Sequence, residues 1–361
     1  MNQTIKIPFN GSIDRGGPAL VPHTRAFASA LMSLSVLMGA PHDTRAETEH
    51  NRTYRADYDY YRHLLVSGEG FLFWQDVWNY LTPALPRGSH PAGFWEPASI
   101  LPIDTRPLLD CFEIAGIRAE IITGQIGEKT LGNLAQGYPV LLFGGNPGDR
   151  ILLAIGYRSG GEDLLAWKFS AGDDRQNKSF APDKCKYISD WTCDVIAVAL
   201  IKSAPNPPAN VKTLLYGALE RGAGLLRNDI ILEAYCGWFT ACEVCAGASC
   251  AGNSGADMAV QNKVPQVQPQ IWDLAERRYY LSKELEEVQR IFGTEQLAPA
   301  IRAAKKIHDN MWLINSINRN ERLALNDAAV RSQIAQILTE CRKLDLEIAD
   351  CIFGFLNNFK P

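Results

Sequence analysis

A chain of 361 residues, 46% hydrophobic and 21% charged, carries enough apolar material for one large core or, more readily, two. Its formal net charge of −4 comes without a block of like charge, which argues against a general nucleic-acid or anionic-membrane surface. No run approaches the ~18 uninterrupted apolar residues of a membrane span, and the opening MNQTIKIPFNGSIDRGGPAL lacks the apolar stretch of a secretory signal. The nine cysteines, an odd number, fit reduced thiols better than a disulfide framework, so a cytoplasmic protein is expected.

From Pro22 to Met38, residues Phe27, Ala30, Leu31, Leu34, Leu37 and Met38 share a helical stripe, with Gly39 as its stop. A connector rich in charge and Tyr follows from His42 to about Arg62, then the glycine-flexed aromatic cluster Ser67-Gly68-Glu69-Gly70-Phe71-Leu72-Phe73-Trp74. A second helix is expected from Pro102 to Gly116, with Pro107 in its first turn and Leu108, Cys111, Phe112 and Ala115 on its apolar face. The pattern then changes to short strands at Ala119–Ile122, Val140–Phe143, Ile151–Tyr157, Leu164–Trp167 and Val195–Ile201, with a short helix over Thr130–Gln136. Helix first and sheet afterwards points to an α+β domain with an antiparallel sheet, not repeating βαβ units.

Pro205 to Pro208 makes a natural break. Leu214, Leu215, Ala218 and Leu225 suggest a helix beyond it, and the stretch from about Gly247 to Pro269 reads as a loop. Three narrow apolar seams complete the chain: Leu274, Leu281, Leu285 and Val288; Leu297, Ile301, Ala304, Ile307 and Met311; and Val330, Ile334, Ile337, Cys341, Leu344, Ile348 and Cys351. They predict a C-terminal helical bundle and leave a homodimer as the alternative use of the same seams. The expected division is 1–203 for the α+β domain, 204–265 for a Cys-rich helical connector and loop, and 266–361 for the bundle.

Several short motifs taken together resemble papain-like cysteine peptidase folds, more narrowly the C39-like group that includes butirosin-biosynthesis protein H. Members of that group open with a His-Cys pair at a helix start, where this chain has His23-Thr24 before Arg25-Ala26-Phe27-Ala28. Ser67-Gly68-Glu69-Gly70-Phe71 is similar to the group's glycine-rich aromatic element, and Pro139-Val140-Leu141-Leu142-Phe143 and Ile151–Tyr157 to its central strands. Ala275-Glu276-Arg277-Arg278 resembles the start of its C-terminal helical region. The resemblance implies a papain-like domain whose nucleophile is a cysteine at a helix N-terminus, served by a histidine on the facing sheet and an orienting polar group. Here the matching positions hold Thr24, then Asp149-Arg150, then the neighbourhood of Lys168, and no histidine lies between His90 and His308. A Thr hydroxyl without a base provides too little alkoxide near neutral pH to act as a nucleophile.

Each candidate residue has a plainer reading beside the functional one. Thr24 suits a helix N-cap, while His23, Glu69, Asp149 and Arg150 would rim a surviving cleft. Phe71, Trp74 and Trp95, with neighbouring aromatics, serve a core or the wall of a ligand pocket beside Glu69. Cys236, Cys242, Cys245 and Cys250 have a spacing that zinc or an iron–sulfur cluster accepts. Only one CxxC is present, however, and cysteines in a partly helical segment around Trp238 and Phe239 serve as small buried hydrophobes. No metal or other cofactor is therefore expected. The Gly144–Asp149 segment lacks phosphate-loop spacing and is read as a strand-to-strand turn.

The expected function is a catalytically degenerate papain-like-fold protein binding a small molecule, a peptide or a carrier-linked acyl group. An active acyltransferase or amide hydrolase is the alternative, requiring Cys111 or Cys236 to reach His23. A scaffold that self-associates through its C-terminal helices is the third.

Overall fold

The computed structural model describes residues 3–4, 26–39, 44–49, 52–71, 104–144, 151–169, 185–193, 195–203, 210–228, 267–320 and 328–359. The chain divides into two compact units. The sheet unit contains the first 67 residues and the chain from 99 to 215; the helical unit takes residues 68–71 and the chain from Tyr216 onward. The boundary thus falls inside one helix, past the proline-rich break, and the glycine-aromatic element segregates with the helices.

Strands β1 (Gln3–Thr4), β4 (Arg118–Ile122), β5 (Val140–Gly144), β6 (Ile151–Arg158), β7 (Asp163–Phe169), β8 (Lys186–Ser189) and β9 (Val195–Ser203) form one antiparallel sheet of order β4-β9-β5-β6-β7-β8, with β1 paired to β6. The protein is α+β, as the strand pattern predicts. β5, β6 and β9 are nearly continuous apolar runs because both their faces are covered. Helix α1 (Ala26–Leu37) packs on β6 and β7, and α4 (Ile126–Ala135) packs on β5, β6 and β9. On the α4 side, Val140, Leu142, Leu152, Ala154, Val198 and Leu200 form a core with Leu134 and Trp191. Trp191 keeps its indole N–H satisfied by donating to the Gly161 carbonyl at 2.9 Å.

The expected connector between His42 and Arg62 instead contains the hairpin β2 (Thr44–Glu49) and β3 (Arg52–Asp57), in register from Thr44↔Asp57 to Glu49↔Arg52, followed by α2 (Tyr58–Ser67). Helix α3 (Arg106–Ile114) starts later than its proline pattern suggested, because the Asp104 carboxylate accepts from the Arg106 amide at 2.9 Å. It ends as predicted: Gly116 at φ +71 lets the Gly116 and Ile117 amides donate back to Glu113 and Phe112. Buried Asn133 ties α4 to the sheet, its amide donating at 3.2 Å to the carbonyls of Pro139 and Ile201.

In the helical unit, α5 (Val211–Arg227) contributes its C-terminal portion, followed by α6 (Val267–Phe292), α7 (Ala298–Asn320) and α8 (Ala328–Asn358). The three apolar seams lie on these last helices, apart from Leu297, which immediately precedes α7, and α7 packs on both α6 and α8. Val267 already opens α6, so the last residues of the expected loop are helical; Pro269 is tolerated in a first turn, where its missing N–H has no intrahelical partner to lose. No described helix is long and apolar enough to cross a membrane.

Candidate functional site

The sheet unit brings the start of α1 to the junction of β5 and β6. Phe27, in the first turn of α1, meets Phe143 at the end of β5 with ring centroids 6.0 Å apart and Phe112 of α3 at 6.1 Å. Phe143 pairs with Ile151, the first residue of β6, which pairs in turn with Phe169 of β7. These residues are apolar and Phe27, Phe112, Phe143 and Ile151 are fully buried, so packing holds the first turn of α1 against the sheet. His23 and Thr24 immediately precede this turn in the sequence, and Asp149 and Arg150 immediately precede β6; all four lie outside the described residues.

Lys168 is described, and the pleat places it on the far side. It pairs with Leu152, whose side chain belongs to the core on the α4 face, whereas Phe143 meets α1 on the opposite face. Because neighbouring strand residues alternate, Trp167 and Phe169 share the α1 face and Lys168 does not. Exposed Lys168 therefore does not stand where a group orienting a base for α1 would be needed.

Cys193 is exposed, whereas the other described thiols are buried or half-buried and poorly suited to nucleophilic work. Fully buried Cys111 donates its S–H to the backbone carbonyl of His63 in α2 at 3.5 Å. Burial pushes the Cys185 and Cys341 thiols up to about 12, and it raises Cys351 as well. The free cysteines Cys111, Cys185, Cys193, Cys341 and Cys351 form no disulfide. No group of three or more His, Cys, Asp or Glu side chains among the described residues is placed to hold a metal ion. Cys236, Cys242, Cys245 and Cys250 lie outside the described residues, as do Trp74 and Trp95.

Glu69 and Phe71 are described, and both are about 1% exposed. The expected pocket rim is a clamped segment of the helical unit. Arg277 of α6 donates to the Glu69 carbonyl at 2.8 Å, and its neighbour Arg278 donates to the Gly70 carbonyl at 2.7 Å. Arg278 also forms a bidentate pair with Asp345 of α8, at 2.7 and 2.8 Å, with both side chains fully buried. A side chain at Gly70 would meet the Glu284 carboxylate, since an added Cβ would lie 2.7 Å from Oε2. Phe71 in turn lies against Gly222 of α5, where an added Cβ would come within 2.3 Å of its ring. Two motifs 208 residues apart, the glycine-aromatic element and the Arg277-Arg278 pair, are thus one structural site. Asp345 and Glu284 escaped the sequence reading because each sits in an ordinary helical heptad with no local signal of burial.

Two further polar features are superficial. Asp163 accepts from the Ser189 hydroxyl and from Arg158 Nε, and these bonds hold its carboxyl below the usual carboxylate range. Arg158 also lies over the exposed Tyr187 ring at 4.0 Å. An open groove of about 680 Å³ at the α6–α7 turn is lined by side chains of both signs, including Glu286, Arg290, Glu295 and Arg302. Arg290 is engaged there by Glu287 in a bidentate pair at 2.7 Å. A comparison with protein-family models, curated proteins and solved structures finds no match to this chain.

Proposed function

We propose that this is a papain-like-fold protein in which the cleft ahead of α1 binds a ligand without thiol catalysis. The ligand class is a small molecule, a peptide or a carrier-linked acyl group. One observation carries the reading: the first turn of α1 packs through Phe27 on Phe143, beside the first residue of β6, with α1 lying along the antiparallel sheet. A nucleophile ahead of the helix and a base opening β6 would need this arrangement, yet the residues at those sequence positions are Thr24, Asp149 and Arg150. The buried or proton-holding thiols described above support a non-catalytic assignment, and free thiols suit a cytoplasmic setting.

The test restores the missing sulfur. Thr24→Cys should create a thiol at a helix N-terminus with a lowered pKa, labelled by iodoacetamide near pH 6 about tenfold or more faster than an ordinary exposed cysteine. The wild-type protein should show no such fast-labelling cysteine. An ordinary rate for the variant would remove the proposed cleft geometry. A hyper-reactive wild-type cysteine would instead favour the acyltransferase or amide-hydrolase alternative.

A further inference from the structure

Residues 68–71 belong to the helical unit, although α2, which runs directly into them and ends at Ser67, belongs to the sheet unit. Gly68, at φ +82, opens a turn that the Phe71 amide closes by donating to the Gly68 carbonyl at 3.1 Å. The remaining contacts of this short segment come from helices more than a hundred residues further along the chain.

Those contacts read different properties of the segment. Arg277 and Arg278 of α6 donate to the carbonyls of Glu69 and Gly70, groups that any sequence offers. Glu284 reads Gly70 by size, since an added Cβ would lie 2.7 Å from its Oε2. Gly222 of α5 leaves open the space that the Phe71 ring fills, and Phe71 is 1% exposed there. Backbone bonds for affinity combined with side-chain slots for specificity is the division of labour used in peptide recognition. The site has its own support: the bidentate pair with Asp345 of α8 orients Arg278, and the slot over Gly222 exists because a side chain is missing. Such preorganisation lowers the ordering cost of binding.

We propose that α5, α6 and α8 form a receptor site for a carbonyl–glycine–aromatic segment, and that residues 68–71 occupy it as a tethered ligand. A tether supplies its segment at high effective concentration, so a site of modest intrinsic affinity stays filled. The site lies within the helical unit and is independent of the proposed cleft, so either assignment can fail without the other.

The test uses the full chain carrying Phe71→Ser, which empties the aromatic slot, and a fluorescein-labelled, C-terminally amidated peptide of sequence Gly-Glu-Gly-Phe. Fluorescence polarisation should show the variant binding this peptide with a Kd below about 1 mM. The wild type should bind it about tenfold or more weakly, because the tethered segment competes. A peptide with alanine in place of its second glycine should lose about tenfold or more against the variant, because the added methyl meets Glu284. Where Phe71→Ser lowers the helical amplitude in far-UV circular dichroism, the peptide at about 1 mM should restore it. A peptide that neither binds the variant nor restores its helices overturns the proposal. Equal binding to wild type and variant, or equal binding of the alanine peptide, does so as well.

Discussion

The two units differ in how many charged side chains their described residues bury. Among the described residues of the sheet unit Asp110 is the buried carboxylate, and Arg106 one turn earlier meets it at 2.7 Å from a largely exposed position. The helical unit buries Glu69, Arg277, Arg278, Glu284, Glu287, Arg331, Arg342 and Asp345. The difference follows from where each architecture leaves backbone groups unpaired. In the sheet, the ladders from β4 to β8 satisfy neighbouring strands directly. In the helical unit, the turn at residues 68–71 and the C-terminus of α5 present carbonyls that no ladder reaches. Guanidinium groups supply those bonds: Arg277 and Arg278 serve Glu69 and Gly70, and Arg342 donates to the carbonyls of Leu226 and Arg227. A buried arginine then needs a buried carboxylate, and Asp345 answers Arg278.

The largest expected effect comes from breaking that pair. Asp345→Ala should destabilise the helical unit by about 3–5 kcal/mol, because it strands the fully buried Arg278 charge. Replacing both partners with apolar residues of similar volume should recover most of the loss in urea melts followed by circular dichroism. If the single and double variants melt alike, the pair is not the determinant described here. Gly222→Ala should cost about 1–3 kcal/mol by pressing on Phe71. Phe71→Leu should relieve part of that penalty, a coupling that a double-mutant cycle measures directly.

The sheet unit should respond to a neutral polar loss more mildly. Asn133→Leu removes the amide that serves Pro139 and Ile201, at an expected cost of about 1–3 kcal/mol. A smaller contribution is pH-dependent. The Cys341 thiol, raised from 9.0 to about 12 by burial, keeps its proton in the folded state after the unfolded chain has lost it. Its contribution to stability is complete below pH 9 and falls as pH rises from about 9 toward 12. Cys341→Ala should flatten that part of the stability profile. A slope unchanged in the variant would place the alkaline loss elsewhere.

Much of this organisation is legible in the sequence, for a physical reason that differs between the units. Core strands such as Val140–Gly144 announce themselves because burial on both faces requires uninterrupted apolar residues. The seams of α6, α7 and α8 are visible because helical period and burial coincide. The β2–β3 hairpin was obscured by its charged residues, and edge strand β8, KYIS, by its shortness and exposure. Lys168 shows the limit for the candidate site: a sequence position near a motif says nothing about which face of a strand the side chain takes until the register with Leu152 is known.

The sequence by itself determined the α+β class, the core strands and the C-terminal helices. All of these depend on local periodicity or residue identity. Tertiary structure alone decided that Glu69 and Phe71 are buried in the helical unit, that Arg278 meets Asp345, and that Lys168 turns away from α1. Those outcomes depend on partners far along the chain and on strand register, and neither leaves a trace in the spacing of neighbouring residues.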